Sequence, residues 1–240
     1  MFKTVFKSEI KGILRDRMTL FFIFFPIILG AIGYFVIPVI EDSVTPGNPT
    51  PQIVAMFIIL ITSYIFGAVT GFTLLDDRDD NVLISLKITP VSVRLYVVLK
   101  LVFSYLFGII ATLLLVYATG FLPGTSFGKI LLISIVASLQ GPAIALIVNS
   151  FAKNKVEGFV IMKMSGLILM LPVLVFFVYS WKEVFLVFSP GFWPARLVQM
   201  ELLPTIDVNF TFLVYFFAGM VYNILFSWLL LKLYEKKANI

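Results

Sequence analysis

The sequence contains no cysteine and no histidine, and charged residues are scarce. Without cysteine the chain forms no disulfide and has no thiolate nucleophile, and without histidine it has no imidazole for acid–base catalysis or zinc binding. Of the 240 residues, 13% are charged and 60% are hydrophobic. Soluble domains have about 25% charged and roughly half apolar residues. The composition therefore excludes a water-soluble globule and indicates an integral membrane protein.

Long apolar segments recur along the chain. A helix needs about 20 mostly apolar residues to cross a hydrocarbon core of about 30 Å. Because hydrocarbon offers no partner to backbone N–H and C=O groups, membrane spans are helices or closed barrels, and uninterrupted apolar runs lack the alternation of barrel strands. We therefore predict an all-α integral membrane fold with six transmembrane helices. The predicted spans are 18–40, 53–75, 95–118, 129–151, 159–180 and 210–231.

The basic residues are distributed unevenly between the connecting segments. The formal net charge is +5, yet the segments on one side contribute only Lys129, Lys182 and Arg196. Because cytoplasmic loops carry the excess of lysine and arginine, we predict a multi-pass protein of a bacterial cell membrane with both termini in the cytoplasm and no nucleic-acid partner. The basic side has Lys3, Lys7, Lys11, Arg15, Arg17, Arg78, Lys87, Arg94, Lys100, Lys153, Lys155, Lys163, Lys232, Lys236 and Lys237.

Residues 1–17 precede the first span and are amphipathic. Apolar side chains recur at helical spacing opposite Lys3, Lys7 and Lys11, which predicts an interfacial elbow helix along the inner leaflet. The alternative is a basic tail that only sets orientation. The span 18–40 is too long for the apolar core of a signal peptide, so we expect it to be retained. The whole chain, 1–240, is predicted to form a single transmembrane domain.

The segment 76–94, between the second and third spans, is predicted to contain a short cytoplasmic helix. Its acidic residues Asp76–Asp80 suit a helix N-terminus, with Asp80 as the predicted N-cap, and Pro90 ends the helix. Apolar side chains on so short a helix indicate a partner site; the alternative is packing against its own spans only. The residues assigned to this contact are Asp79, Asp80, Val82, Leu83, Leu86, Lys87, Thr89 and Pro90.

The segment 181–209, before the last span, is apolar but interrupted by proline. Pro190, Pro194 and Pro204 divide it into pieces too short to span, and Trp181 and Trp193 favour the headgroup region. We predict short external helices that dip into the outer leaflet or lie on it; the alternative is a plain surface loop. The candidate site residues in this segment are Pro190, Trp193 and Arg196.

Three motifs occur in order along the chain. They are Arg15-Asp16-Arg17-Met18 with Phe24-Phe25-Pro26-Ile27, Thr89-Pro90-Val91-Ser92, and Ser189-Pro190 with Trp193 and Arg196. Together they resemble the membrane subunits of ABC transporters of the type-2 export class, which have a basic elbow, a Thr-Pro-Leu-Ser first loop and a Ser-Pro, aromatic, Arg pattern before the last span. The sequence departs from that pattern at Asp80-Asn81-Val82, where the family usually has Glu-Gly-Thr.

The resemblance implies a permease subunit without enzymatic activity of its own. Such a six-helix half pairs with a second half and with two cytosolic ABC ATPase subunits, and its first cytoplasmic loop is the coupling helix seated in the ATPase. The residues agree, because the chain has no Gly-x-x-x-x-Gly-Lys-Ser/Thr phosphate loop. ATP and magnesium are therefore expected on the partner, with no cofactor on this chain. The second half is either another copy or a different permease.

Few polar residues lie inside the predicted spans, and such residues are the first candidates to line a transport path. The predicted spans hold no deeply placed Asp or Glu, which argues against proton- or sodium-coupled transport, and Lys100 and Lys163 lie close enough to span ends to snorkel. By resemblance, the second and fifth spans border the path. We expect a hydrophobic or amphipathic cargo such as a drug, peptide or lipid. The path candidates are Thr62, Phe66, Thr70, Met162 and Ser165.

Gly67 and Gly71 form a G-x-x-x-G step in the second span. Small residues at this spacing let two helix backbones approach closely. The step serves either dimerisation or packing within one chain.

Two other functions compete with export. The run Asp76-Asp77-Arg78-Asp79-Asp80 also has the D-D-x-x-D spacing with which intramembrane prenyltransferases hold magnesium and diphosphate. Those enzymes need a second facing acidic cluster, and here the other acids are scattered or, as Glu41-Asp42, lie on the outer side. A non-transporting immunity or sensor membrane protein is the other alternative, and it predicts no nucleotide-driven transport.

Overall fold

The computed structural model describes residues 11, 17–86, 88, 92–178, 180–206 and 208–238. The predicted elbow helix, apart from Lys11 and Arg17, lies outside the described residues, as do Lys87, Thr89 and Pro90 of the predicted partner contact. Within the described ranges all regular secondary structure is helical, which confirms the all-α prediction.

The helices follow the predicted order of spans and short connecting helices. Six spans are long and apolar enough to cross a membrane, which confirms the six predicted spans: Leu20–Ser43, Thr50–Asp79, Val93–Thr119, Phe127–Phe151, Lys155–Phe176 and Phe212–Ala238. Two 3₁₀ segments, Leu171–Phe176 and Ser180–Phe185, follow the α-helix of the fifth span. The α-helices in the described ranges are α1 (Arg17–Ser43), α2 (Thr50–Asp79), α3 (Val82–Leu86), α4 (Val93–Thr119), α5 (Phe127–Ser138), α6 (Gln140–Phe151), α7 (Lys155–Met170), α8 (Phe192–Leu202) and α9 (Phe212–Ala238).

The second and fourth spans form the centre of the bundle. Their most apolar stretches are 72% and 78% buried, against 39% or less in the other four spans. A Cβ atom added to Gly67 of α2 would lie 2.3 Å from the carbonyl oxygen of Gly141 in α6. The two backbones are therefore in contact at these glycines. The G-x-x-x-G step of the second span packs within one chain here, with Gly71 against Ala145 and Val148.

The fourth and fifth spans are interrupted at prolines. α5 ends at Ser138 and α6 begins at Gln140, because Pro142 has no N–H to donate to the carbonyl of Ser138. The fifth span was predicted as 159–180, but its α-helix is Lys155–Met170 and continues only as a 3₁₀ turn. Pro172 in that turn likewise has no N–H to donate.

The early start of α7 has a local cause. The Asn154 side chain accepts a hydrogen bond from the N–H of Glu157 (3.0 Å), and the Glu157 carboxylate accepts one from the N–H of Lys153 (2.8 Å). The first hydrogen bond makes Asn154 the N-cap, which satisfies an N–H group that has no partner within the helix, and the second ties Glu157 to the residue before the cap. The span therefore begins four residues before its apolar run.

The outer helices expose large apolar side chains. Ile27 and Phe35 of α1 and Phe217 of α9 are all more than 60% exposed. Such exposure is expected for surfaces that face lipid rather than water.

Candidate functional site

The acidic run Asp76–Asp80 closes the second span instead of opening the short helix. α2 continues to Asp79, and Asp80 is its C-cap, with its N–H donating to the carbonyl of Asp76 (2.8 Å). Asn81 then adopts a left-handed backbone conformation with φ of 57°, which suits asparagine. The prediction that Asp80 is the N-cap of the short helix is therefore wrong.

The helix dipole destabilises negative charge at a helix C-terminus. Here neighbouring cations offset that effect on the carboxylates. Lys100 Nζ of α4 lies 2.5 Å from Asp77 Oδ2, and the Tyr96 hydroxyl donates to the same oxygen at 2.9 Å. Lys155 Nζ of α7 lies 2.9 Å from Asp76 Oδ2. Lys100 is only 3% exposed, so it forms a buried ion pair and does not snorkel as predicted.

These contacts join the last turn of α2 to three neighbouring spans. Besides the lysine pairs with α4 and α7, Arg78 Nη2 donates to the carbonyl of Ala152, at the end of α6 (3.0 Å). We refer to this group (Asp76, Asp77, Arg78, Lys100 and Lys155) as the inner ion-pair group, and to its end of the bundle as the basic end.

The prenyltransferase alternative gains no support from this geometry. Asp76 and Asp77 are each paired with a lysine. Among the residues that the structure describes, no three acidic side chains are placed to hold a metal ion.

The helix α3 is anchored to its own chain and leaves apolar side chains exposed. Leu83 is buried in a cluster with Val93 and Tyr96, and Leu86 packs against the same cluster. Ile84 of the same helix is 62% exposed, and Ile88, two residues beyond its end, is 91% exposed. Leu83 and Leu86, two of the predicted contact residues, therefore hold the helix to its own chain.

The remaining described members of the predicted contact are accessible to different degrees. Asp79 and Asp80 are exposed, and Val82 is half-buried. The sequence interpretation did not select Ile84 or Ile88. Both are apolar residues in a short segment outside the spans, and that is the signal that would have identified them.

The five predicted path residues do not line one common surface. The Thr62 side chain is buried and donates to the carbonyl of Ile58 (2.8 Å) within its own helix, and Thr70 is buried in the same helix. Phe66 stacks on Phe107 of the third span, with ring centroids 6.4 Å apart. Phe66 therefore faces the third span and not the fifth.

Met162 and Ser165 of the fifth span meet the second span through Tyr64. The Tyr64 hydroxyl donates to the carbonyl of Met162, and Ser165 Oγ donates to the same carbonyl at 2.9 Å. Tyr64 was visible in the sequence as a polar residue inside a span. Its contact depends on which face of α2 meets the fifth span, which hydropathy alone does not reveal.

A small cavity lies beside this contact, where the second, fourth and fifth spans meet. It has a volume of about 50 Å³, and its lining includes Leu60, Tyr64, Gly166 and Gln140. Gln140 is 1% exposed, and its Nε2 atom is buried without a hydrogen-bond partner. A buried donor without a partner costs about 1–3 kcal/mol. Gln140, at the break between α5 and α6, thus offers a hydrogen-bond donor to a ligand in this cavity.

At the opposite end, the segment 181–209 forms the short helices that were predicted, and Arg196 lies at their centre. Arg196 is 1% exposed; its Nη2 lies 2.7 Å from Glu183 Oε2, and its Nη1 donates to Gln199 Oε1 at 2.5 Å. The other Glu183 oxygen accepts hydrogen bonds from Tyr215 of α9 and from Asn209, each at 2.6 Å. This network joins the 3₁₀ segment, α8 and the last span.

Pro190 and Trp193 contact the last span as well. The carbonyl of Pro190 accepts a hydrogen bond from Asn223 Nδ2 (3.3 Å), and the Trp193 side chain lies against Gly219, where an added Cβ would be 2.7 Å from Trp193 Cβ. The three predicted residues of this segment therefore fix its short helices to α9. Glu183 was missed, although it is an acidic residue in a largely apolar segment.

Comparison with known proteins agrees with this architecture. The family model described as "Fluoroquinolones export permease protein Rv2686c-like" matches residues 9–231. Two relatives from Mycobacterium tuberculosis are similar to the chain: fluoroquinolones export permease protein Rv2686c (strain ATCC 25618 / H37Rv) and fluoroquinolones export permease protein MT2760 (strain CDC 1551 / Oshkosh). Each is 23% identical over 245 residues, covering 96% of this chain and 92% of the relative. No solved structure matches the chain.

Proposed function

Because the chain belongs to the Rv2686c-like family of fluoroquinolone export permeases, we propose that it is the membrane subunit of an ATP-driven exporter, energised by separate cytosolic ATPase subunits. The chain is a multi-pass membrane permease with six apolar spans. In this proposal two ATPase subunits hold ATP and magnesium, and this chain contributes no catalytic group. The termini and the basic end lie in the cytoplasm, as the distribution of lysine and arginine favours.

The observation that carries the proposal is the structure of α3. Leu83 anchors the helix, while Ile84 and Ile88 remain exposed at the basic end of the bundle. An exposed apolar surface outside the spans is the kind of surface that a protein partner covers. This supports α3 as the docking site for an ATPase subunit.

The inner ion-pair group supplies a route for mechanical coupling. It joins the last turn of α2, directly before α3, to α4 through Lys100 and to α7 through Lys155. A displacement of α3 by the ATPase would therefore move several spans together, because packed elements with fixed polar contacts shift as units. In this proposal the transport path opens where Tyr64 contacts the fifth span, beside Gln140.

In this proposal the transported cargo is amphipathic. The cavity beside Gln140 has a volume of about 50 Å³, which is less than a drug-sized molecule needs, and in this proposal it widens when the fifth span separates from Tyr64. Its apolar walls and one free amide donor then suit an apolar molecule with a carbonyl or carboxylate acceptor. The relatives are named for fluoroquinolones, which are therefore the first cargo to test. In the part of the chain that the structure describes, α2 and α6 are in backbone contact at the centre of the bundle, which leaves no room there for a wide channel. We include a second permease, either another copy or a different chain, in the complex.

Transport in proteoliposomes tests the proposal. The permease is purified with the ATPase that accompanies it, and uptake of a fluorescent fluoroquinolone into the vesicles is followed with and without ATP. We expect uptake that requires both ATP and the ATPase. Ile84→Asp is expected to abolish ATP-driven uptake and ATPase binding, because a carboxylate replaces the exposed apolar contact.

Val156→Asp provides the matched control. Val156 is 75% exposed at the beginning of α7, so this variant places the same charge at the same end of the bundle but outside α3. Uptake by Ile84→Asp at the wild-type rate would contradict docking through α3. Absence of nucleotide-driven transport with the ATPase bound would favour the sensor or immunity function instead.

A further inference from the structure

A cavity of about 600 Å³ lies at the end of the bundle opposite the basic end. It is bounded by the last turns of α1, the first turn of α2 and the turn 119–123. Sites for small molecules usually have volumes of about 300–1,000 Å³. The cavity is therefore large enough for a drug-sized ligand or a lipid headgroup.

Two polar side chains of this cavity, Glu41 and Gln52, present hydrogen-bond acceptors. Among the described residues that line it, Glu41 is the only charged one, and no described residue forms an ion pair with it. Gln52 Oε1 is buried without a hydrogen-bond partner, and the Thr119 hydroxyl already donates to the carbonyl of Leu115 at 2.7 Å. A carboxylate and a free amide oxygen together favour a ligand that carries N–H donors and positive charge.

The helix ends around the cavity favour a cation as well. α1 ends at Ser43 and α4 ends at Thr119, with Gly120 as its C-cap. Each C-terminus carries a partial negative charge, and the N-terminus of α2, at Thr50, offsets part of it. Two cations at this end, Lys129 and Arg196, are already paired with Glu201 and Glu183.

Apolar and aromatic side chains form the rest of the wall. Tyr34 and Phe35 of α1 and Phe121 of the turn 119–123 line the cavity, together with Ile37 and Leu202. Aromatic rings offer flat apolar contact and a negative face toward a cation. The cavity thus places one carboxylate beside an aromatic surface.

We propose that this cavity binds an amphipathic ammonium compound, whose protonated amine pairs with Glu41 and whose apolar body lies against Tyr34, Phe35 and Phe121. The inference deepens the proposed function and rests on it, because it names the class of cargo that the outer end of the exporter receives. Two sources share this chemistry: an amine-bearing drug, and an aminophospholipid headgroup with its acyl chain. An anion is disfavoured, since no lysine or arginine lines the cavity to offset Glu41.

Equilibrium binding to the full chain tests the assignment. The protein is placed in phosphatidylcholine nanodiscs and titrated with two fluorescent probes: a fluoroquinolone with a free piperazinyl amine, and its N-acetyl derivative, which lacks the positive charge. We expect Glu41→Gln to weaken binding of the charged probe about tenfold, as loss of one charge-assisted contact would. Binding of the acetylated probe should change less than about twofold.

Asp42→Asn is the matched control. Asp42 is the next residue in the sequence but does not line the cavity. Its neutralisation raises the net charge by the same amount as Glu41→Gln does, so we expect wild-type binding of both probes. Unchanged binding of the charged probe by Glu41→Gln, or equal losses in Glu41→Gln and Asp42→Asn, would overturn the proposal.

Lipid composition distinguishes the two sources of the ligand. The titration is repeated in nanodiscs that contain phosphatidylethanolamine, which supplies a protonated amine in the membrane. Competition that depends on Glu41 assigns the cavity to the lipid headgroup, and binding that is insensitive to phosphatidylethanolamine assigns it to the drug. Either result supports the ammonium site.

A measurement of ATP-driven uptake by the wild-type protein distinguishes failure of the ammonium site from failure of the proposed function. Selective binding through Glu41 without ATP-driven uptake contradicts the exporter and leaves the site intact. Uptake that proceeds while binding is independent of Glu41 contradicts the site and leaves the exporter intact.

Discussion

Arg196 and Glu183 form an ion pair that is almost completely shielded from solvent, at 1% and 5% exposure. Removing one partner leaves an uncompensated buried charge, which costs about 3–5 kcal/mol. We expect Glu183→Gln to lower the thermal unfolding midpoint measured in detergent, and the double variant Glu183→Gln with Arg196→Gln to recover part of the loss. Lys129→Gln, which breaks the more exposed pair with Glu201, should cost about 1 kcal/mol or less. Equal effects of the two single variants would refute this account.

Gln140 combines nearly complete burial with an unpartnered amide donor. Replacing an unsatisfied polar group by an apolar one of similar size is nearly neutral or stabilising. We therefore expect Gln140→Leu to unfold at or above the wild-type temperature while it raises the KM for fluoroquinolone uptake. Gln140→Glu is the contrasting variant, since it removes the donor and adds a buried charge. A large loss of stability in Gln140→Leu would show that the amide serves only the fold.

The close contact of α2 with α6 depends on two glycines. A methyl group at Gly67 would lie 2.3 Å from the carbonyl oxygen of Gly141, which is backbone and cannot rotate away. We expect Gly67→Ala to destabilise the protein by about 3 kcal/mol, in the upper range for overpacking, and to lower the yield of monodisperse protein on size-exclusion chromatography. Gly128→Ala in α5 is the control, because nothing lies within 4 Å of its added Cβ. Comparable yields of the two variants would contradict this prediction.

The spans could be predicted from the sequence because hydropathy over about 20 residues is a strong signal, whereas the element ends depend on local polar chemistry. The run Asp76–Asp79 suggests a helix start by its charge, yet it ends α2, because Lys100 and Lys155 from distant positions compensate its carboxylates. Such long-range pairing is invisible to periodicity. The start of α7 was predictable in principle, since Asn154 and Glu157 stand at capping-box spacing.

The candidate site was less predictable than the fold. Arg196 was selected from a motif, and the structure gives it a partner, Glu183, 13 positions earlier in the chain. The path residues were chosen by span number alone. These residues do not share one surface, because Tyr64 and Phe66 lie on different sides of α2. Tyr64 faces Met162, and Phe66 faces Phe107. Neighbouring helices decide which face of a uniformly apolar helix becomes a path, and composition does not encode that choice.

For the whole molecule, the absence of native cysteine makes the orientation of the bundle directly measurable. Ser85 of α3 and Ser126 before α5 are both exposed and lie at opposite ends, and Ser→Cys is nearly isosteric. We expect a membrane-impermeant maleimide to label Ser126→Cys in intact cells and Ser85→Cys only in inverted vesicles, because the basic end faces the cytoplasm. Bound ATPase should slow labelling of Ser85→Cys in the inverted vesicles, since Ser85 adjoins the exposed Ile84. Labelling of Ser126→Cys, at the opposite end of the bundle, should not depend on the ATPase. Labelling of Ser85→Cys in intact cells would reverse the topology and remove α3 from reach of any cytosolic ATPase.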